Sequence, residues 1–170
     1  LCTGSACIAI ACCYAFPDAN VDASDISEEA LSVAAINVQR YELADQLNLM
    51  HSDCFDEIPL KKYDLIVSNP PYVSQKEWDC LDPSVKDYEP PQALIGGERG
   101  VEYYERLASQ APLFLQPEGW LFLEIGYAQR EEVSKIFSSS LWRKGCVEKD
   151  YAGKDRFFSV QYSPTKLLVS

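Results

Sequence analysis

The sequence predicts a doubly wound α/β fold, and three observations predict it. Strand-like apolar runs alternate with helix-like amphipathic runs along the chain, the pattern of a mainly parallel sheet with helices on both faces. The run YDLIVSNP at 63–70 is apolar and unalternating, as expected of a central parallel strand covered on both faces. Two strand-like runs near the C-terminus, 146–152 and 157–162, are joined closely enough to form an antiparallel hairpin.

The elements follow in order. LCTGSACIAIA (1–11) is a turn of small residues around Gly4 that leads into an apolar helix. NVDASDI (20–26) reads as a short strand. Ser27 can cap the next helix, with Glu28 and Glu29 well placed in its first turn. Leu31, Ala34, Ala35 and Val38 share one face of that helix. LNLMHSD (47–53) is the next strand, and 63–70 follows it. Residues 74–99 are polar, with Pro83, Pro90, Pro91 and Gly96-Gly97, and read as a long loop or lid. Val101, Tyr104, Ala108, Ala111 and Leu115 mark another amphipathic helix, GWLFLEIG (119–126) another buried strand, and Val133, Ile136 and Phe137 a third helix. Residues 1–162 make one domain, with 163–170 as a tail.

The 170 residues allow one domain with a sizeable core. A net charge of −11 argues against general binding to nucleic acid, which needs a basic footprint, and allows a cationic cofactor or a basic protein partner. The seven cysteines form no CxxC pair, and His51 is the single histidine. The better reading is reduced, mostly buried cysteines in a cytoplasmic protein without a metal site. No apolar run is long enough to span a bilayer. The chain begins at Leu1 rather than Met, and sequence upstream is expected to be missing.

Ligands in such sheets sit beyond the C-terminal ends of the strands, which selects three places. The first is the Gly4 turn, where backbone can approach a ligand at a helix N-terminus, although a tight strand-to-helix turn wants glycine anyway. The second is Asp25, about twenty residues on, whose carboxylate can accept from both hydroxyls of a ribose or can cap the next helix. Asp53, at the end of the following strand, can read an adenine amino group or be an ordinary exposed carboxylate. The third is Asn69-Pro70-Pro71-Tyr72. Pro70 holds Asn69 extended, and neither proline can donate to a ladder. The Asn69 side-chain oxygen and the Pro70 carbonyl are then adjacent acceptors, suited to an NH2 group with two protons to give. An amide nitrogen is a poor nucleophile because its lone pair is delocalised, and gripping both N–H groups orients it toward an electrophile. Tyr72 offers an aromatic wall.

Together these residues resemble the class I S-adenosylmethionine-dependent methyltransferases that carry an NPPY motif. Within them the sequence is similar to the protein-(glutamine-N5) methyltransferases of the HemK/PrmC family, which modify peptide chain release factors. LCTGSACIAIA looks like the cofactor loop, DIS (25–27) like the acidic ribose position, and SNPPYVS like the catalytic motif. DYEPPQALIGGERGVEYYERL (87–107), LEIGYAQ (123–129) and KDYAGKDR (149–156) look like later family segments. The resemblance implies a Rossmann-like sheet of seven strands, mostly parallel with an antiparallel C-terminal hairpin, and its first strand truncated here, which leaves a gap. It implies methyl transfer to the glutamine amide of a release factor's Gly-Gly-Gln loop by a cytoplasmic monomer.

The resemblance also implies roles by position. Thr3, Gly4, Ser5, Ala6, Asp25, Ile26, Asp53, Cys54 and Asn69 would hold S-adenosylmethionine. Asn69, Pro70, Pro71 and Tyr72 would be catalytic, and Asn69, Pro70, Tyr72, Glu89 and Pro90 would meet the substrate. The region up to about residue 27 also looks like a sister family that methylates a ribosomal protein. Ala6 stands where the family usually has glycine, and its Cβ is expected either to strain a left-handed backbone by roughly 1–2 kcal/mol or to crowd the cofactor. An adenine-N6 methyltransferase of nucleic acid and a non-catalytic protein on the same fold are the alternatives.

Overall fold

The computed structural model describes residues 1–86 and 89–164. Asp87 and Tyr88 of the DYEPP stretch, and most of the expected tail (165–170), lie outside the described residues. The described chain forms two compact units, Leu1–Pro59 and Leu60–Ser170.

The first unit runs α1 (Cys7–Ala15), β1 (Val21–Asp25), α2 (Glu28–Arg40) and β2 (Leu47–His51). β1 and β2 pair in parallel, Val21 opposite Leu47 and Asp25 opposite His51. The expected face of α2 is the one that packs: Ala34 and Val38 are buried and Leu31 and Ala35 half-buried. Ala34 and Val38 join Ala6, Ala9, Ile10, Cys13, Ala23 and Leu47 in one core. Ser27 caps α2 as the sequence predicts, its hydroxyl accepting from the Ala30 N–H at 3.1 Å.

The second unit runs β3 (Tyr63–Ser68), β4 (Val73–Ser74), α3 (Gln75–Cys80), α4 (Pro83–Lys86), α5 (Pro91–Leu94), β5 (Ile95–Gly97), α6 (Glu102–Phe114), β6 (Leu115–Glu124), α7 (Arg130–Ile136), β7 (Trp142–Lys149) and β8 (Asp155–Tyr162). Its main sheet has the order β3-β6-β8-β7. β3 and β6 are parallel, and β8 is antiparallel to both β6 and β7, so the expected C-terminal hairpin is present. α6 buries Tyr104, Leu107, Ala111 and Phe114 along one stripe, with about 1.5–3 kcal/mol for a side chain the size of Leu107 or Phe114 removed from water.

The described strands form ladders of two, four and two and no single continuous sheet, in line with the expected gap. Three expectations need correction. The segment 74–99 is not a bare loop: it holds α3, α4, α5 and β5. Its prolines misled because Pro83 and Pro91 stand at the first positions of helices, where proline's missing N–H costs nothing. β3 is not covered on both faces, since Leu65 is exposed while Ile66 and Ser68 are buried. The cysteines are not mostly buried either: Cys7, Cys80 and Cys146 are exposed and only Cys13 and Cys54 are buried.

β6 also starts earlier than predicted. Its first residue, Leu115, pairs with Tyr63, and the register then jumps to Leu65 opposite Trp120. The bulge absorbs Pro117 and Glu118, the latter at φ 68°, which look like strand breakers in the sequence. No helix among the described residues is long and apolar enough to cross a membrane.

Candidate functional site

In the first unit the turns at the C-terminal ends of β1 and β2 come together with the Gly4 turn. The Thr3 N–H donates to the Ser24 carbonyl of β1 at 2.9 Å. Gly4 (φ 55°) and Ala6 (φ 68°) both lie in the left-handed region. Ala6 is fully buried and caps α1 with its backbone alone, so the strain expected at this position is present. Asp25 ties the turns: its Oδ2 accepts from the Gly4 N–H at 2.8 Å and its Oδ1 from the Ser27 N–H at 3.0 Å. The helix cap that Asp25 could have supplied comes from Ser27.

β2 adds the next turn. The Ser52 N–H donates to the Asp25 carbonyl at 3.0 Å, and the His51 Nε2 lies 2.8 Å from the Ile26 carbonyl. Ser52 Oγ donates to the Cys54 carbonyl and accepts from the Glu57 N–H, each at 3.1 Å. Glu57 takes up the Asp53 N–H at 3.0 Å. Cys54 is buried at φ 57°, while Asp53 is half-buried.

In the second unit β3 ends at Ser68, paired with Leu123. Asn69 follows, exposed, then buried Pro70 and Pro71 and half-buried Tyr72. Pro71 and Tyr72 are braced. A Cβ at Gly96 would collide with the Pro71 carbonyl, and one at Gly100 would lie 2.5 Å from the Tyr72 carbonyl. These glycines therefore permit two close backbone approaches. Gln129 Nε2 donates to the Tyr72 carbonyl at 2.8 Å and to the Gly100 carbonyl at 3.0 Å.

The Tyr72 hydroxyl donates to Glu124 Oε1 at 3.1 Å and accepts from Arg156 Nη1 at 3.2 Å. Arg156 is itself held by Asp150 Oδ2 at 3.4 Å and lies 4.0 Å from Glu124. Burial above all, and then the Glu124 carboxylate, raise the Tyr72 phenol above its ordinary value of 10.0, with Arg156 opposing. Tyr72 is therefore a neutral donor at physiological pH.

The sequence-predicted residues fall into these two sets. Thr3, Gly4, Ser5, Ala6, Asp25, Ile26, Asp53 and Cys54 gather in the first unit. Asn69, Pro70, Pro71 and Tyr72 form the turn in the second. Glu89 and Pro90 are exposed and lead into α5, with no hydrogen bond to that turn. Sequence reasoning missed Glu124, Gln129 and Arg156 as supports. They stand inside LEIGYAQ and KDYAGKDR, but nothing in those strings says what they hold. The capping box of α3, Ser74 with Glu77, was readable in SQKE.

Residues 1–81 match the methyltransferase small domain family. The first half of the chain is therefore similar to that family. A bifunctional methyltransferase of Rickettsia conorii is 39% identical over 165 residues, 97% of this chain and 31% of that protein. A ribosomal protein uL3 glutamine methyltransferase of Bordetella pertussis is 46% identical over 137 residues, 81% of this chain and 45% of that protein. The chain thus spans less than half the length of these curated relatives. Among solved structures, a methyltransferase from Pyrococcus furiosus superposes with a TM-score of 0.69 at 18% identity, covering 94% of this chain and 71% of that one. TrmN from Thermus thermophilus gives 0.67 at 19% identity, over 94% and 42%. These two share the fold.

The cofactor that a methyltransferase small domain implies is S-adenosylmethionine, and the first unit's residues fit it. A Cβ added at Gly4 meets nothing within 4 Å, so the turn is open where a ligand would approach. An ionised carboxylate has about four acceptor positions, and Asp25 spends two on backbone N–H groups. One position on each oxygen remains for a pair of hydroxyls. Ile26, 48% exposed beside it, offers an apolar surface for a base.

Proposed function

We propose that the protein transfers a methyl group from S-adenosylmethionine to the side-chain amide nitrogen of a glutamine in a protein substrate. The observation that carries this reading is the Asn69–Tyr72 turn. Its backbone is braced from several sides, while the Asn69 side chain is exposed and makes no hydrogen bond with any described residue. A side-chain amide kept free on a rigid turn suits recognition of another amide.

The cofactor, when bound, supplies an electrophilic methyl group. Asp25 would take the ribose hydroxyls, the Gly4 turn would lie along the ligand, and Asp53 would meet the base. Asn69 Oδ1 and the Pro70 carbonyl would accept the two N–H bonds of the substrate amide and fix the nitrogen's orientation. Both acceptors are neutral, so their part is positioning rather than proton abstraction, and the proton that the amide nitrogen gives up on methylation would pass to solvent. Tyr72, held neutral, would form the wall of the amide site.

The substrate proposed first is the Gly-Gly-Gln loop of a peptide chain release factor, supported by the likeness of residues 87–107 to that family. A glutamine of ribosomal protein uL3 is the second reading, favoured by the relatives named for that activity. Incubating the intact protein and cofactor with each substrate, followed by peptide mass spectrometry, separates them. A gain of one methyl on the Gly-Gly-Gln glutamine supports the first, and a gain on uL3 alone supports the second. Methylation of neither, with methylation of bare DNA or RNA, would overturn the glutamine reading.

A further inference from the structure

We infer that Gln129 is the positioning residue of the amide-binding turn, an inference that rests on reading Asn69–Tyr72 as that turn. Gln129 is 9% exposed and immediately precedes α7, yet its side chain does not cap the helix. Both Nε2 protons go elsewhere, to the carbonyls of Tyr72 and Gly100. Its Oε1 accepts from the Gly126 N–H at 2.9 Å and faces the Tyr104 hydroxyl at 3.2 Å. The amide's two donors and one acceptor position are thereby used, and the Tyr104 proton is shared between Oε1 and the Glu124 carbonyl, each at 3.2 Å. Two distant stretches, Tyr72 and Gly100–Tyr104, meet the nearby Gly126 on one side chain.

Two glycines keep space for it. A Cβ at Gly126 would lie 2.7 Å from Gln129 Oε1, and one at Gly100 would lie 3.2 Å from Nε2 as well as 2.5 Å from the Tyr72 carbonyl. The contact is therefore built into the backbone on both sides. Its effect reaches Asn69 through a stiff link. Pro70 and Pro71 have φ fixed by their rings, so the path from the pinned Tyr72 carbonyl back to Asn69 has few soft torsions. At the other end Ser68 is fixed in the ladder opposite Leu123. Gln129 closes the second clamp of a turn that β3 holds by the first.

Only an amide serves here. Gln129→Glu keeps the size and the acceptor oxygen but removes both donors and sets a carboxyl against two carbonyl oxygens. The test uses the intact protein, wild type and Gln129→Glu. It measures kcat and KM for the glutamine substrate, cofactor affinity by calorimetry, and amide hydrogen exchange. Expected are a fall in kcat of about tenfold or more, cofactor affinity within about twofold, and faster exchange at Val73 and Ser74 with β1 and β2 unchanged. A general loss of fold would move all of these together.

The inference is overturned by a kcat within about twofold of wild type, by a kcat loss matched by an equal loss of cofactor affinity, or by unchanged exchange at Val73 and Ser74. If Gln129→Glu does not fold, Gln129→Met is read by the same criteria. If the wild type modifies no glutamine substrate, the function proposed above fails. Exchange at Val73 and Ser74 then decides the positioning role alone, and an unchanged rate sinks it.

Discussion

The Gly4–Ala6 turn and the Asn69–Tyr72 turn both follow the sequence rule for ligand sites, yet they are built in opposite ways. The first is made by its own backbone: two left-handed residues, one buried alanine and a single carboxylate, Asp25, that ties it to β1. The second is made by its surroundings. Prolines stiffen it, glycines at 96 and 100 let other segments reach its carbonyls, and Gln129, Glu124 and Arg156 hold Tyr72. A turn of the first kind is sensitive to changes in itself. A turn of the second kind is sensitive to changes far away in the chain.

The largest effect that would test this contrast is Asn69→Ala. Its side chain bears on no described residue, so the fold stays intact while methyl transfer falls by about 10²-fold. Single-turnover rates with cofactor calorimetry check it. A variant that loses stability instead would show that Asn69 belongs to the brace.

Asp25→Asn comes next. Losing charge-assisted bonds worth roughly 1.5–3 kcal/mol weakens cofactor binding by about 10- to 100-fold, seen in titrations at constant salt. Unaltered affinity in a folded variant would remove Asp25 from the site.

Gly96→Ala drives a Cβ into the Pro71 carbonyl and costs about 1–3 kcal/mol of stability, the usual range for overpacking. Gly4→Ala meets no neighbour and costs only the left-handed backbone penalty of about 1 kcal/mol. Urea unfolding of the two side by side is the direct comparison, and equal losses would erase it. In the opposite direction, Ala6→Gly relieves a left-handed alanine and adds about 1 kcal/mol, visible as a higher denaturation midpoint.

The smallest effect is alkaline. Tyr72 has a folded pKa raised above its ordinary 10.0, chiefly by burial and the Glu124 carboxylate, and Tyr104 is raised as well, by burial first and then by Tyr72. The folded state then holds protons that the unfolded state has released, so stability is full below about pH 10 and falls as pH rises above it. Tyr72→Phe should flatten that fall in unfolding curves at pH 7 and pH 10.5. An unchanged slope would mean the Tyr72 proton is not retained on folding.

What was legible in the sequence divides along the same line. The Gly4 turn, Ser27 as a cap, the packing face of α2 and the Asn69–Tyr72 stop could be read because each is local. A left-handed turn, a cap or a double proline declares itself within a few residues. The exposed side of β3 could not be read, because Leu65 carries no sign of whether a helix covers it. α4 and α5 were hidden by prolines that start helices as readily as they end them. The start of β6 was hidden by a bulge. Gln129 was invisible as a support for a plainer reason: Tyr72, Gly100 and Tyr104 are brought to it only by folding, and a glutamine before a helix looks like any other.

The reach of Gln129 bears on how such proteins can be recombined. The family match ends at residue 81, so it includes the Asn69–Tyr72 turn but stops short of Gly96, Gly100, Glu124, Gln129 and Arg156. A chimaera joining residues 1–81 to the second half of an unrelated sheet protein would inherit the letters of the turn without its posture. Heredity of the motif and heredity of its geometry are separable in this fold, and a domain swap is safe only when both halves come from one parent.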